Sequence, residues 1–236
     1  MIRNYMGRKI FCLIPARSGS KRIKKKNIKD FCGLPIIAWS IKAAYKSKLF
    51  DRIIVSTDDD EIAKIARFHG AEVPFRRPTN ISCDKSTTLD VIKHFISFIN
   101  EPYVSNPIIF CLYATTPFIT EKEMNLGLKK YLETNESRIL FLAKEYNHPI
   151  ERSFFINKEG SSVLNDPKSG NIRTQDLIPK FHDSGQYYIG SKICWESIST
   201  IIDGNLPFII DNFISHDIDF EKDWEFAEKL FKAINL

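Results

Sequence analysis

The fold is decided by the stretch Ile14-Pro15-Ala16-Arg17-Ser18-Gly19-Ser20-Lys21-Arg22, which is closed by Lys26-Asn27. An apolar run, residues 10–13, precedes it and an amphipathic segment follows from about Pro35, so the sequence predicts a strand, a small-residue loop and a helix. Open α/β sheets bind ligands at this position, beside the carboxyl ends of the strands. Because small residues let the backbone approach a phosphate and the cations neutralise it, the loop is typical of a nucleotide triphosphate site.

The composition is that of one globular domain, predicted to span residues 1–236. The net charge of +5 is concentrated in residues 21–29, so a diffuse basic surface is not indicated. Five scattered cysteines without metal-like spacing favour a reducing cytoplasm. We see no signal peptide and no apolar run of membrane-spanning length, and we therefore expect a cytoplasmic protein without a membrane partner.

Strand-like and helix-like patterns alternate through the first two thirds of the chain. Strands are predicted at residues 9–16, 52–57 and 107–112, helices at residues 35–46, 58–68 and 88–99, and a loop at residues 73–86. This alternation predicts an α/β fold with a mostly parallel, doubly wound sheet.

The pattern changes after about residue 141. Polar residues dominate up to about residue 181, which predicts an excursion of hairpins and loops away from the main sheet. Strands at residues 187–190 and 208–210 and a closing helix at residues 223–233 are expected beyond it.

The first loop lacks two common phosphate-binding patterns, G-x-x-x-x-G-K-[ST] and G-x-G-x-x-G. A solvated basic loop is the alternative for a charge run of this kind. Its place directly after the first strand, its small residues and the closing Lys26-Asn27 favour the nucleotide site.

A second feature is Asp217-Ile218-Asp219. In an extended segment, residues i and i+2 point to one side, so both carboxylates would face the same ligand. Two carboxylates with phosphate oxygens and water suit Mg²⁺. The alternative is an exposed acidic loop before the last helix, with Glu221 or Asp223 as its cap.

Two polar segments complete the candidate site. Phe75-Arg76-Arg77-Pro78 is followed by Ser82-Cys83-Asp84-Lys85-Ser86-Thr87-Thr88, which would contact a base and a ribose or would simply cap a helix through Ser86 or Thr87. Arg173-Thr174-Gln175-Asp176 and His182-Asp183-Ser184-Gly185-Gln186-Tyr187 would suit a hydroxyl-rich acidic substrate, although His182 is equally consistent with a structural histidine.

These segments occur together and in order, and over about residues 9–234 the chain resembles the cytidylyltransferases that activate nonulosonic (sialic-type) acids. The loop I-P-A-R-S-G-S-K-R-x-x-x-K-N resembles that family's nucleotide signature. The other motifs that fall where the family has them are I-V-S-T-D at residues 54–58, R-P at residues 77–78 and D-I-D at residues 217–219.

Within the family, the chain is most similar to the pseudaminic acid branch, through residues 75–78, 173–176 and 182–188. Leu112-Tyr113-Ala114-Thr115-Thr116-Pro117 stands where sialic acid enzymes usually have a glutamine-proline-threonine-serine motif, and His182 stands where they tend to have an arginine. Both differences argue against plain sialic acid as the substrate.

The resemblance implies roles for individual residues. The triphosphate would be held by Arg17, Lys21, Lys26 and Asn27, with Ala16, Ser18 and Gly19 in the same nucleotide site, and cytosine and ribose would be contacted by Arg77, Ser86 and Thr88. Mg²⁺ would be bound by Asp217 and Asp219, which with Arg17 and Lys21 would be the catalytic residues. The sugar acid would be contacted by Tyr113, Arg173, Gln175, His182, Gln186 and Tyr188.

The resemblance also implies a reaction and a partner. CTP and pseudaminic acid, a nine-carbon acidic sugar, would give CMP-pseudaminic acid and pyrophosphate in a homodimer whose excursion packs on the partner subunit. Legionaminic and N-acetylneuraminic acid are alternative substrates. A non-enzymatic nucleotide or nucleic-acid binder is the alternative class, but no aromatic residues for base stacking interleave with residues 21–29, so no nucleic-acid partner is expected.

Overall fold

The computed structural model describes residues 8–99, 106–134, 136–210 and 215–234. The strands are β1 Ile10–Pro15, β2 Asp30–Phe31, β3 Leu34–Pro35, β4 Arg52–Ser56, β5 Ile108–Leu112, β6 Leu140–Glu145, β7 Phe154–Ile156, β8 Ser162–Leu164, β9 Phe181–Ser191 and β10 Leu206–Ile209. The helices are α1 Ile36–Ser47, α2 Asp60–Phe68, α3 Thr88–Phe98, α4 Glu121–Leu132, α5 Lys192–Ser197 and α6 Glu221–Ile234.

Six strands form the main sheet, in the order β10-β6-β9-β5-β1-β4. β1 pairs in parallel with β4 and β5, and β10 pairs in parallel with β6. β9 runs antiparallel between β5 and β6. The predicted mostly parallel α/β sheet is therefore confirmed, with an antiparallel insertion that the sequence pattern did not predict.

Strand β1 is buried on both faces, which explains its unbroken apolar sequence. Ile10, Cys12 and Ile14 pack with buried residues of α1, α2 and α4. Phe11 and Leu13 point to the other face and pack with buried residues of α3 and α5. The helices thus cover both faces of the sheet, as a doubly wound fold requires.

A third apolar cluster lies outside these two layers. Helix α6 contributes Trp224 and Phe231, and the β2–β3 hairpin contributes Phe31, which contacts both rings edge-on. Ile23 and Ile218 are each 1% exposed and belong to the same cluster. Because Ile23 follows the small-residue loop and Ile218 separates the two acidic residues, this cluster anchors both segments.

The segment outside the main sheet begins later than expected. The sequence placed its start at about residue 141, whereas β6 stays in the sheet as far as Glu145 and pairs with both β9 and β10. Residues 146–180 form the excursion, which contains the β7–β8 hairpin and short 3₁₀ turns. The polar composition begins before the backbone leaves the sheet because the last residues of β6, Lys144 and Glu145, are themselves not buried.

Helix starts follow ordinary capping chemistry. Thr87 caps α3 and Thr120 caps α4, each in a capping box, with Asp90 and Glu123 as the respective third residues. Asp59 caps α2. Thr87 is thus the cap of α3, which leaves the Ser86 side chain out of that role.

Within the described ranges, no helix combines the length and apolar character needed to cross a membrane. All five cysteines are free; Cys12, Cys111 and Cys194 are buried and Cys83 is exposed.

Candidate functional site

A pocket of about 450 Å³ opens at the carboxyl ends of β1 and β5. The structure brings many of the predicted residues together in its lining: Arg17, Lys21, Lys26, Asn27, Arg77, Ser86, Thr88, Tyr113 and Asp219. They come from segments far apart in sequence, and the parallel strand order gathers them at one edge of the sheet.

The first loop, defined here as residues 16–27, is tied to the end of β4. The Ala16 amide donates to the Ser56 carbonyl at 2.9 Å. The Ser18 amide and hydroxyl both donate to the Asp58 carboxylate, at 3.0 and 2.8 Å. Asn27 closes the loop by donating from Nδ2 to the Arg17 carbonyl at 2.9 Å. The loop therefore has a fixed shape that its own side chains maintain.

Gly19 leaves room for a cation of the pocket. A Cβ at this position would lie 3.1 Å from Nη1 of Arg17, closer than ordinary van der Waals contact. The glycine in this loop thus allows the Arg17 guanidinium to lie against the backbone.

Two carboxylates neutralise the cations of the pocket. Asp84 contacts Arg17, at 2.7 Å between Oδ1 and Nη1, and also contacts Lys21. Asp219 Oδ1 lies 2.7 Å from Arg22 Nη2 and 3.5 Å from Lys26 Nζ. The bonds from Lys21 and Arg17 hold the pKa of Asp84 below its ordinary value.

Sequence reasoning did not select Asp84. It lies in the segment of residues 82–88, whose hydroxyl groups were predicted to contact a ribose. The only feature of the sequence that could have indicated Asp84 is its negative charge. That charge has no clear meaning until the fold places Asp84 opposite Arg17 and Lys21.

Arg77 is the buried cation of the pocket, at 3% exposed. Its Nη2 lies 3.7 Å from Asp58 Oδ1, and its Nε and Nη2 have no hydrogen-bond partner in the part of the chain that the structure describes. Burial lowers the pKa of the Arg77 guanidinium, but an arginine remains charged at neutral pH. A buried guanidinium with open donors calls for an acceptor on a ligand.

Asp58 accepts hydrogen bonds from the first loop and also pairs with Arg77. Burial acts to raise the pKa of this carboxyl, but the two bonds from Ser18 and the charge of Arg77 outweigh it and hold the pKa below its ordinary value. Asp58 is thus ionised at neutral pH and links the loop to the guanidinium.

Thr88 and Tyr113 form a neutral wall of the pocket. The Thr88 hydroxyl and the Tyr113 hydroxyl lie 2.5 Å apart. The Tyr113 ring is 5.5 Å from that of Tyr188, whose hydroxyl donates to Asp183 Oδ2 at 2.6 Å. Burial raises the pKa of Tyr113 to about 12 and that of Tyr188 well above its ordinary value, so both are protonated at neutral pH.

The acidic pair is divided between the pocket and its rim. Ile218 is buried and Asp219 lines the pocket, whereas Asp217 is exposed and is not part of the lining. Asp223 Oδ2 accepts from the Phe220 amide at 2.8 Å and caps the start of α6. In the described ranges there is no group of three or more acidic, histidine or cysteine side chains placed to hold a metal.

The remaining predicted residues do not line this pocket. Arg173 and Gln175 lie exposed in the excursion, where Arg173 pairs with Asp176 at 2.8 Å. His182 Nδ1 is 2.9 Å from the Asp183 carbonyl. Gln186 is 2% exposed and donates to the Ser184 carbonyl at 3.1 Å, while its Oε1 lacks a partner among the described residues. Gln186 and Tyr188 thus lie in β9, behind Tyr113 and away from the lining.

Comparison with known proteins identifies the family. A family model described as Cytidylyltransferase matches residues 11–189. Two pseudaminic acid cytidylyltransferases of Campylobacter jejuni strains are 37% and 36% identical, each over 95% of this chain and 97% of the relative. An N-acylneuraminate cytidylyltransferase B of Danio rerio is 34% identical over 92% of this chain and 50% of its own length.

Solved structures agree on the fold. CMP:2-keto-3-deoxy-manno-octonic acid synthetase complexed with CTP has a TM-score of 0.70 at 16% identity, over 97% of this chain and 100% of the other. A 4-diphosphocytidyl-2C-methyl-D-erythritol synthase of Anaerococcus prevotii has a TM-score of 0.62 at 14% identity, over 96% and 99% of the two chains.

The fold and the cation-lined pocket define a nucleotidyltransferase. The chain belongs to the cytidylyltransferase family, which confirms the resemblance seen in the sequence.

Replacing Asp58 with Asn tests how the site is held together. We expect the D58N variant to be destabilised by about 2 kcal/mol at neutral pH, because two bonds from Ser18 weaken and Arg77 loses its partner. Since the pKa of Asp58 is lowered on folding, its contribution is complete above about pH 4 and is lost as pH falls through the lowered pKa. Urea unfolding of wild type and variant should therefore converge in acid.

Asp60→Asn is the matched control, because Asp60 is 88% exposed and pairs with Arg76 at the surface. We expect its unfolding free energy to stay within about 0.5 kcal/mol of wild type. Equal stability of D58N and wild type at neutral pH would contradict the role given to Asp58.

Proposed function

We propose that this protein transfers the CMP group of CTP to pseudaminic acid and releases pyrophosphate. The similarity to the two Campylobacter jejuni pseudaminic acid cytidylyltransferases runs over nearly the full length of both chains. A CMP-N,N'-diacetyllegionaminic acid synthase of the same species is 30% identical over a similar span. The sequence at residues 112–117 also favours the pseudaminic branch, in agreement with these identities.

The main observation that supports CTP as a substrate is the position of Arg77. It lines a pocket together with Arg17, Lys21 and Lys26. Cytosine offers ring acceptors that would satisfy the open Arg77 donors, and charge-assisted bonds of this kind are strong in a buried site. Ser86 and Thr88 also line the pocket, and their hydroxyl groups would suit a ribose. The first loop, with Ala16, Ser18, Gly19 and Asn27, would then hold the triphosphate.

The residues present fit a divalent metal, and we propose Mg²⁺. Mg²⁺ is commonly bound by one or two carboxylates together with substrate phosphates and waters. Asp219 lines the pocket, and Asp217 is exposed outside the lining, two residues away in a segment that Ile218 anchors. Bound to these carboxylates, the ion would neutralise charge on the α- and β-phosphate oxygens.

In the reaction, the anomeric hydroxyl oxygen of the acid loses its proton to solvent and forms a bond to the α-phosphorus as the bond from that phosphorus to the bridging oxygen breaks. Pyrophosphate departs with the bridging oxygen. Arg17, Lys21 and Lys26 would stabilise the charge that develops on it, and positioning would supply much of the remaining acceleration. Tyr113 and Tyr188 stay protonated at neutral pH, so neither is available as a base. Tyr113, which lines the pocket, would instead position the acid, and Tyr188 would support the Tyr113 ring from behind.

A homodimer is part of the proposal. The β7–β8 hairpin exposes apolar side chains on both faces, with Phe154 58%, Phe155 52% and Ile156 70% exposed. A two-stranded hairpin is marginal alone, and an exposed apolar patch of this kind is typical of an interface. The same excursion carries Arg173 and Gln175, which do not reach the pocket of their own chain.

The proposed reaction is tested by pyrophosphate release from CTP and Mg²⁺, with pseudaminic, legionaminic and N-acetylneuraminic acids offered in parallel. We expect strong release with pseudaminic acid alone. Release with another acid would overturn the substrate and leave the reaction class intact. Absence of release with all three acids would contradict the proposed transfer.

Asp219→Asn tests the metal site. We expect turnover to fall by two or more decades, on the order of 3 kcal/mol, because the carboxylate that faces the phosphates is lost. Glu225→Gln removes a charge from the exposed face of α6 and should leave turnover unchanged. Wild-type turnover of D219N at saturating Mg²⁺ would exclude Asp219 as a metal ligand.

Ile156→Glu tests the dimer. Light scattering after gel filtration should give twice the mass of one chain for wild type and a monomer for the variant, because a charge would be buried in the apolar interface. Phe68→Glu places the same charge at another exposed apolar residue, on the last turn of α2, and should stay dimeric. A monomeric wild type would refute the dimer.

A further inference from the structure

Asp84 occupies the pocket from the wall opposite the first loop. Its two carboxylate oxygens contact one cation each, Oδ1 the Arg17 guanidinium at 2.7 Å and Oδ2 the Lys21 ammonium. All three residues line the pocket. One carboxylate thus bridges two cations of the first loop, 67 and 63 residues away in sequence, as a phosphate group would.

We propose that Asp84 is a built-in substitute for a phosphate, which holds Arg17 and Lys21 while the site is empty and is displaced when a polyphosphate enters. This inference rests on the proposed function, because it assigns Arg17 and Lys21 to the β- and γ-phosphates. It makes Asp84 a determinant of how tightly the site holds triphosphate and pyrophosphate.

The Asp84 carboxylate has no role in starting helix α3. The cap bonds there are made by Thr87 and Asp90, and the turn before it is held by Ser86 Oγ, which accepts from the Cys83 amide at 3.1 Å. The bonds that the structure gives the Asp84 carboxylate go to the first loop. Its charge is therefore directed at the ligand site and not at the local fold.

The strength of these contacts suits displacement. The side chains are 35% exposed for Arg17, 79% for Lys21 and 46% for Asp84. Ion pairs this exposed are weak, so they orient the cations without holding them against a more highly charged ligand. A triphosphate carries several charges to the one of Asp84 and takes over both cations.

Asp84 differs in this respect from Asp219. Asp219 also pairs with two cations, Arg22 and Lys26, but it is the proposed metal ligand and would gain a new partner when the metal–nucleotide complex binds. Asp84 gains none. Its displaced charge opposes the polyphosphate and favours the departure of pyrophosphate, after which the carboxylate recovers Arg17 and Lys21.

The test is calorimetric titration of wild type and Asp84→Asn with inorganic tripolyphosphate, pyrophosphate and CMP, without metal. We expect D84N to bind tripolyphosphate and pyrophosphate about three- to tenfold more tightly, because the competing charge is gone. CMP lacks the β- and γ-phosphates, and its affinity should change less than about twofold. The gain should shrink at high salt, since exposed charges are screened.

Two variants act as controls. Glu72→Gln removes one charge from a carboxylate of the same 46% exposure, paired with Arg52 and outside the pocket lining, and should leave all affinities unchanged. Asp84→Glu keeps the charge and should bind tripolyphosphate as wild type does. Melting curves confirm that each variant is folded.

Unchanged or weaker binding of tripolyphosphate by folded D84N would overturn the proposal, because a merely structural carboxylate would weaken the site when lost. CTP is titrated into wild type in the same series. Failure of wild type to bind CTP would count against the proposed function, while the comparison with tripolyphosphate still decides the role of Asp84.

Discussion

Burial of Ile23 and Ile218 in one apolar cluster is the constraint on which the site depends. The first loop and the acidic segment are polar and lie on the surface, where a chain without anchors would sample many conformations. Each contains one buried isoleucine, and both isoleucines belong to the same apolar cluster as Trp224 of α6. The relative position of the cations and of Asp219 is therefore set by apolar packing, and the weak ion pairs between them act on groups already close together.

Charge in the pocket is arranged in two layers with different consequences. Among the more exposed residues of the lining, Asp84 and Asp219 neutralise cations through ion pairs that exchange easily. Deeper, Arg77 is buried beside Asp58 with donors left open. An exposed pair gives affinity for charge in general, whereas a buried group with unsatisfied donors discriminates by shape and hydrogen bonding. Under the proposed function, charge attraction and base selection would therefore fall to different parts of one pocket.

Sequence reasoning succeeded where the signal is local. Apolar runs located β1, β4 and β5, and small residues mixed with cations located the loop. It failed where the structure depends on the direction of a strand or on contacts between residues far apart in sequence. The apolar sequence of β9 has the same pattern in either direction, so its antiparallel course is invisible before the fold is known. Asp84 faces Arg17 because β1 and the segment before α3 meet at one sheet edge, which no spacing along the chain records.

The excursion shows the other limit of local reasoning. Its composition predicted a departure from the sheet, yet Lys144 and Glu145 already share that composition while still paired with β9. A residue belongs to the sheet as long as the backbone hydrogen bonds of its strand are made within the sheet, whatever its side chain. Beyond residue 145 the chain forms a small hairpin and short turns, and the described residues leave half or more of the Phe154, Phe155 and Ile156 side chains exposed. In the proposed homodimer, the arm that exposes Phe154 and Ile156 and carries Arg173 away from its own pocket would pack on a second copy of this chain, which would offer a matching surface by symmetry.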